Sequence, residues 1–417
     1  MVTTSRQAAS SGRPLDALNF FLADVRDGLG PYLAIYLLTV QKWDEASIGV
    51  VMTIAGIAGI ATQTPAGALV DRTKAKRALV IVAAVLVTAT CVALPFLSNQ
   101  ILIAGTQAIA GAAGAIFAPA TSAITLGIVG PKAFAARVGR NESFNHAGNA
   151  FAATLAAVLA YWYGPVVVFW LMAFMAVASV VATWSIPEAA IDHDVARGLQ
   201  KDGQNEHERA PPSGWRVLLE CRPLLIFSAC IVLFHFSNAA MLPLAGQKLA
   251  LGNAALGTSL MSACIVAAQL IMVPVALIAG AKANTWGSKP LFLTAFAVLA
   301  LRGMLYPLSD SPYWIVGVQL LDGVGAGIFG ALFPIVVADL TRGTGHFNVS
   351  LGAIGTATGI GAALSTSFAG LIVVNAGYDA AFLALAFVAA LGLAVYAVAM
   401  PETRDGLSSS APVPTAA

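Results

Sequence analysis

The chain has 417 residues, of which 58% are hydrophobic and only 10% charged, with a mean hydropathy of +0.82 and a formal net charge of +2. Soluble domains carry about 25% charged residues, so this composition excludes an ordinary soluble globular protein. So small a net charge also gives no reason to expect a nucleic-acid partner.

At roughly 20 residues per crossing, the apolar stretches predict an all-α membrane protein of twelve transmembrane helices. In chain order they cover 17–40, 47–69, 78–97, 101–122, 142–162 and 165–186, then 223–245, 256–279, 290–308, 313–335, 349–374 and 380–400. The organisation is therefore an N-terminal tail (1–16), a six-helix half (17–186), a linker (187–222), a second six-helix half (223–400) and a tail (401–417). The linker holds Glu188, Asp192, His193, Asp194 and Pro211-Pro212. It is too polar to span and too short to form a domain, which predicts a flexible connection. No cleavage site follows a short apolar core near the start, so the first span is expected to remain. Cys91, Cys221, Cys230 and Cys264 lack metal-type spacing and are expected as small core residues without a disulfide.

Basic residues orient the spans. Lys42 and Lys248 fall on one side, Arg26 and Arg302 lie within spans, and the other lysines and arginines share the side of the N-terminus. Cytoplasmic loops carry such an excess, so both termini are expected in the cytoplasm of a multi-pass inner-membrane protein.

Ionisable residues inside spans are costly and usually face a cavity or a partner. The first span carries Asp24, Arg26 and Asp27, about 10–15 Å from its start at the rise of a helix. Asp24 and Asp27, three apart, share a helical face, and adjacent carboxylates favour holding a proton. The structural alternative is that Arg26 neutralises one carboxylate while the other caps a break at Gly28–Pro31. The fifth span carries Glu142 near its cytoplasmic end, expected to close an inner gate, and Asn145, His146 and Asn149 beyond it. The seventh carries His235 and Asn238. The ninth and tenth place Arg302 and Asp322 at depths an arginine side chain can bridge, which predicts a buried ion pair.

The two halves repeat each other. Gln107, Gly111, Ile116 and Phe117 return as Gln319, Gly323, Ile328 and Phe329, 212 positions later; Arg13-Pro14-Leu15 returns as Arg222-Pro223-Leu224 and Pro65 as Pro274, 209 positions later. The second spacing places His235 opposite Arg26. A duplicated membrane protein of this kind tends to bind its substrate near mid-membrane, where the halves meet.

After the second span comes Gly67-Ala-Leu69-Val-Asp71-Arg72-Thr-Lys74-Ala-Lys76-Arg77. This stretch resembles the cytoplasmic signature of the major facilitator superfamily, Gly-x-Leu-x-Asp-Arg-x-Gly-Arg-Lys, with Lys74 in place of the second glycine. A degenerate copy, Asn284-Thr-Trp-Gly287-Ser-Lys289, follows the eighth span. The resemblance covers residues 15–402 and implies two six-helix halves. Gly67, Asp71, Arg72 and Lys76 are then gate elements, Asp71 pairing with a helix end or an arginine. Arg302-x-x-x-Tyr306 followed by Gln319-x-x-x-Gly323 is similar to the proton-coupled sugar-symporter branch. Drug antiporters of the family carry Gly-x-x-x-Gly-Pro in the fifth span, and many carry an arginine where Gln107 stands; this chain departs from both.

The expectation is a secondary transporter, not an enzyme, without a cofactor. It would work by alternating access in the lipid bilayer as a monomer. The substrate would be a small polar or charged solute, moved with protons as coupling ion. Asp24, Arg26, Asp27, Gln107, Asn145, Asn149, His235, Asn238, Arg302, Gln319 and Asp322 would bind substrate or proton. A proton-coupled exporter of drugs or toxicants is the alternative, an ion channel a more distant one, and no catalytic constellation or nucleotide loop favours an enzyme or an ATP-driven permease.

Overall fold

The computed structural model describes residues 12–27, 33, 36–38, 40–164, 166–199, 219–252 and 257–403. Gly28, Gly30, Pro31 and the side chain of Asp27 lie outside the described residues. Helix α1 is Gly12–Asp27, α2 Glu45–Arg72 and α3 Lys76–Ala93; α4 comprises Gln100–Gly114 and 117–129. Then come α5 (131–163), α6 Val167–Trp184, α7 (Arg222–Asn238 and Met241–Gly252) and α8 Gly257–Trp286. Last are α9 Ser288–Leu305, α10 Pro312–Leu340, α11 (347–376) and α12 (378–399). Among the described residues, nine continuous helical stretches are long and apolar enough to cross a membrane. Two of these are each a pair of helices, so that with α1 the spans number twelve.

Local chemistry sets the boundaries. The Asp44 carboxylate accepts from Ser47 N at 2.9 Å to start α2, and Asn99 accepts from Ile101 N at 2.9 Å to start α4; such side chains satisfy amides that the first turn leaves open. Gly130 (φ 72°, ψ 171°) and Gly377 (φ 85°, ψ 174°) break the long helices Phe117–Tyr163 and Phe347–Ala399. Only glycine takes this conformation cheaply, and the following Pro131 has no amide proton to lose. Pro65 and Pro274 both sit inside helices, α2 and α8, as the repeat spacing implies.

Two boundaries differ from the sequence reading. The fifth span begins at 131, not 142, because Arg137 and Arg140 are neutralised by Asp16 of α1 at 2.7 Å and so continue the helix. The linker is ordered in its first part. Asp192 N donates to Gly127 O at 3.1 Å, Ala196 is fully buried, and Gly343 N donates to Gly198 O at 2.7 Å. Residues 200–218 lie outside the described residues.

Each half has its own apolar core, and the two cores join where Leu126, Phe134 and Val138 pack into the C-terminal one. Phe134 meets Phe347 edge to face at 5.8 Å. Large side chains elsewhere point outward, with aromatic residues at both ends of the helices: Phe96, Tyr161, Trp162, Tyr163 and Tyr313 at one, Trp184 and Trp286 at the other. Such belts match the two faces of a bilayer.

Candidate functional site: the seam between the halves

The halves meet along α2–α11 and α5–α8, and their contact is closest at the end that carries Asp71. Gly67 of α2 lies against the Asn348 carbonyl of α11 with no room for a Cβ. On the other side of the bundle, a Cβ on Gly139 of α5 would fall 2.6 Å from Ala276 O of α8. These contacts are one contact duplicated, since 209 positions separate Gly67 from Ala276 and Gly139 from Asn348. Small residues let the backbones approach this closely.

Asp71 closes the seam chemically as well. Its carboxylate accepts from Asn348 Nδ2 at 2.8 Å, Asn348 N at 3.2 Å and Val349 N at 2.8 Å, so it caps α11 across the interface. Of the two partners expected, a helix end or an arginine, the helix end is the one it binds. Arg72 is exposed, whereas Lys76 is buried and donates to Thr73 O at 2.7 Å. The degenerate copy does similar work: Asn284 Nδ2 lies 3.5 Å from Lys132 O, at the start of α5. Asn348 Nδ2 also donates to Ala196 O at 3.0 Å, tying in the linker.

Further along the seam the contacts become polar side chains. Thr64 and Thr356 hydroxyls lie 3.0 Å apart, and His146 Nδ1 donates to Gln269 Oε1 at 2.8 Å. Arg26 lies 3.8 Å from Glu142, whose other oxygen is 3.4 Å from Asn145 Nδ2. Glu142 also reaches the second half, its Oε2 lying 3.3 Å from where a Cβ on Gly330 would stand. With α5 beginning at 131, Glu142 is three turns into the helix, beside Arg26. Asp24 and Asn149 are half-buried on the same two helices.

In the C-terminal half, Arg302 and Asp322 form the expected pair. Arg302 Nη1 also donates to Asn238 Oδ1 at 2.6 Å and Nε to the Tyr306 hydroxyl at 3.3 Å, while Gln319 joins Tyr306 to Asp322. Gln107, the counterpart of Gln319, is buried with no partner for its Nε2 among the described residues. His235 is edge-on to Phe329 at 4.6 Å, with Nδ1 3.2 Å from Ile231 O of its own helix.

Sequence reasoning missed Thr64, Gln269, Thr356 and Asn348, which are neutral and carry no signal of cost in a membrane. It also missed a legible repeat, Pro187-Glu188 and Pro401-Glu402. Glu188 pairs with Arg77 of α3 at 2.8 Å, and Glu402 accepts from the first amides of α9 at 3.0 and 3.1 Å.

Known proteins share this sequence and architecture. A family model described as Major Facilitator Superfamily matches residues 15–346 and 267–416. Two uncharacterized MFS-type transporters of Mycobacterium tuberculosis, from strains CDC 1551 / Oshkosh and ATCC 25618 / H37Rv, are 63% identical over 393 residues, 94% of either chain. The solved structure of a proton:xylose symporter, bound to 6-bromo-6-deoxy-D-glucose, superposes with a TM-score of 0.71 at 14% identity, covering 96% of this chain and 97% of that one. The chain belongs to the major facilitator superfamily and is a multi-pass membrane transporter, not an enzyme.

Proposed function

We propose that the protein is a secondary active transporter of the bacterial inner membrane, moving a small polar or charged solute by alternating access with the proton gradient as drive. Both termini would be cytoplasmic and the monomer would be the working unit. The observation that carries this reading is the unequal seam: backbone-level contact at the Asp71 end and a belt of Arg26, Glu142, Asn145 and His146 behind it. Rocking of one half on the other would open the Asp71 end and close the far one around that belt. Asp24, Asn149, Gln107, His235 and Asn238 are assigned to the solute path and its walls. A fold neighbour that is a proton symporter supports the choice of ion.

Purified protein in proteoliposomes under an imposed pH gradient tests this. Saturable accumulation of a solute, with exchange of labelled for unlabelled solute, is the expected result. Gradient-driven expulsion would make it an exporter, and a non-saturating conductance without exchange would make it a channel.

A further inference from the structure

Arg26 and Arg302 lie deepest in the spans, and they are held differently. Arg302 is 1% exposed and bonded to Asp322, Asn238 and Tyr306, so its charge is committed within one half. Arg26 has a side chain 36% exposed, and its 3.8 Å approach to Glu142 is long beside the 2.7 Å of Arg137 to Asp16. At that distance the charges attract without the short hydrogen bond that makes such pairs strong. Glu142 is therefore a loosely held counter-ion at the seam, with Asn145 Nδ2 beside it and Gly330 of the other half facing it.

We propose that Arg26 anchors the carboxylate of a small monoanionic solute and that Glu142 carries the proton, each carboxylate occupying the guanidinium in turn. This rests on the transport reading above and narrows it. A proton from the open side adds to a carboxylate oxygen of Glu142 and its attraction to Arg26 is lost. The solute carboxylate then takes the guanidinium, whose planar fork matches it. Counting Arg26, Glu142 and the solute, one positive and one negative charge are present before and after, so one proton and one anion cross together with no net charge moved.

The surroundings favour a monoanion. A phosphate dianion would call for a second cation, and the helices around Glu142 bring none at this depth. The stretches 257–281 of α8, 100–129 of α4 and 347–376 of α11 contain no charged residue. Across the seam α8 presents Gln269 and α10 presents Gly330, while Asp322 of α10 is bonded to Arg302. The remaining titratable groups are Asp24 and Asp27 on α1 and His146 on α5 itself.

The test is equilibrium binding by purified wild type, Glu142→Gln, Arg26→Gln and Arg26→Lys. The probes are gluconate, glucuronate, lactate and shikimate, with glucose as neutral control, from mildly acid to mildly alkaline pH. One proton per anion makes wild-type affinity for a carboxylate weaken by about tenfold per pH unit on the alkaline side. Glu142→Gln should bind the same carboxylate tightly and without pH dependence, while Arg26→Gln weakens it by about tenfold or more and Arg26→Lys recovers part. Retained pH dependence in Glu142→Gln, or unchanged affinity in Arg26→Gln, overturns the proposal; so does a wild type that prefers none of the carboxylates to glucose. Melting curves check folding, and the near-isosteric Glu142→Gln keeps the test decisive if Arg26→Gln does not fold. Counterflow of a neutral solute by wild type would leave the transporter reading standing without the anion; no counterflow of any solute would remove both.

Discussion

Arg302 shows how a charge is made tolerable inside a membrane protein. Its guanidinium, the Asp322 carboxylate, the Tyr306 hydroxyl and the Gln319 amide bond one another in a closed ring, with Asn238 joined to Arg302. Removing one partner leaves the other charge uncompensated. We expect Arg302→Ala or Asp322→Ala to cost about 3–5 kcal/mol each and the double variant to lose clearly less than the sum. Denaturant unfolding in detergent measures this, and strictly additive losses would rule out direct coupling. The N-terminal half has no such ring at the matching positions. Subtracting 212 puts Thr90, Leu94 and Ala110 at the places of Arg302, Tyr306 and Asp322, and Gln107 keeps its side chain without the partners. The repeat spacing revealed Gln107 and Gln319 as counterparts; it could not reveal that Gln319 is bonded through both amide atoms while Gln107 Nε2 has no partner among the described residues, because that depends on residues elsewhere.

Among the elements, the start of α11 is where most of the closed end converges. Its first amides are held by Asp71 of α2, and Phe347 N donates to Arg197 O of the linker at 3.3 Å. Asp71→Asn replaces charge-assisted acceptance by a neutral amide, each such bond counting for about 1.5–3 kcal/mol. Transport should slow by about tenfold or more while equilibrium binding of the solute stays within a few-fold, a split that flux and binding assays on one preparation resolve. The loop before α11 adds a pH term. Burial, with Arg197 beside it, holds His346 below its ordinary value. The released segment would keep a value of about 6.5, so it takes up protons more readily than the held one. This contribution to closure is full above that pH and is lost as pH falls below it. The protection factors of amides 191–199, that is, exchange corrected for the intrinsic rate at each pH, should accordingly fall on mild acidification, and His346→Gln should blunt the change. Much of this layer was legible: hydropathy located the spans, and the Asp71 signature lies at the end where the seam is closed. The early start of α5 was not, because Arg137 and Arg140 look like loop residues until Asp16, 121 residues away from the first of them, supplies the counter-charge. The linker misled for a related reason: Glu188 is held by Arg77 of α3, and Asp192 and Gly198 bond through their backbones to Gly127 and Gly343, partners far away in the sequence.

For the whole molecule, the duplicated contact means that the closed end is held at two places on opposite sides of the bundle. Both must part for that end to open, which suits a rocking motion better than a slide of one helix. Cysteines replacing Thr64 and Thr356, whose hydroxyls are 3.0 Å apart, should form a disulfide on mild oxidation and stop transport, with recovery after reduction. Undiminished flux through a fully cross-linked sample would show that this end does not need to open. The corner at Gly377 has a different consequence. Gly164 adopts nearly the same conformation (φ 79°, ψ 170°) 213 positions earlier, so a glycine of one conformation marks the α5–α6 and the α11–α12 corner alike. At Gly377 a single residue separates the two helices, so almost no polypeptide projects there. An antibody or designed binder would find no loop there to grip. It would have to take hold of the longer connections on the same face, 97–99 or 309–311, each of which lies within a single half and leaves the two halves free to move.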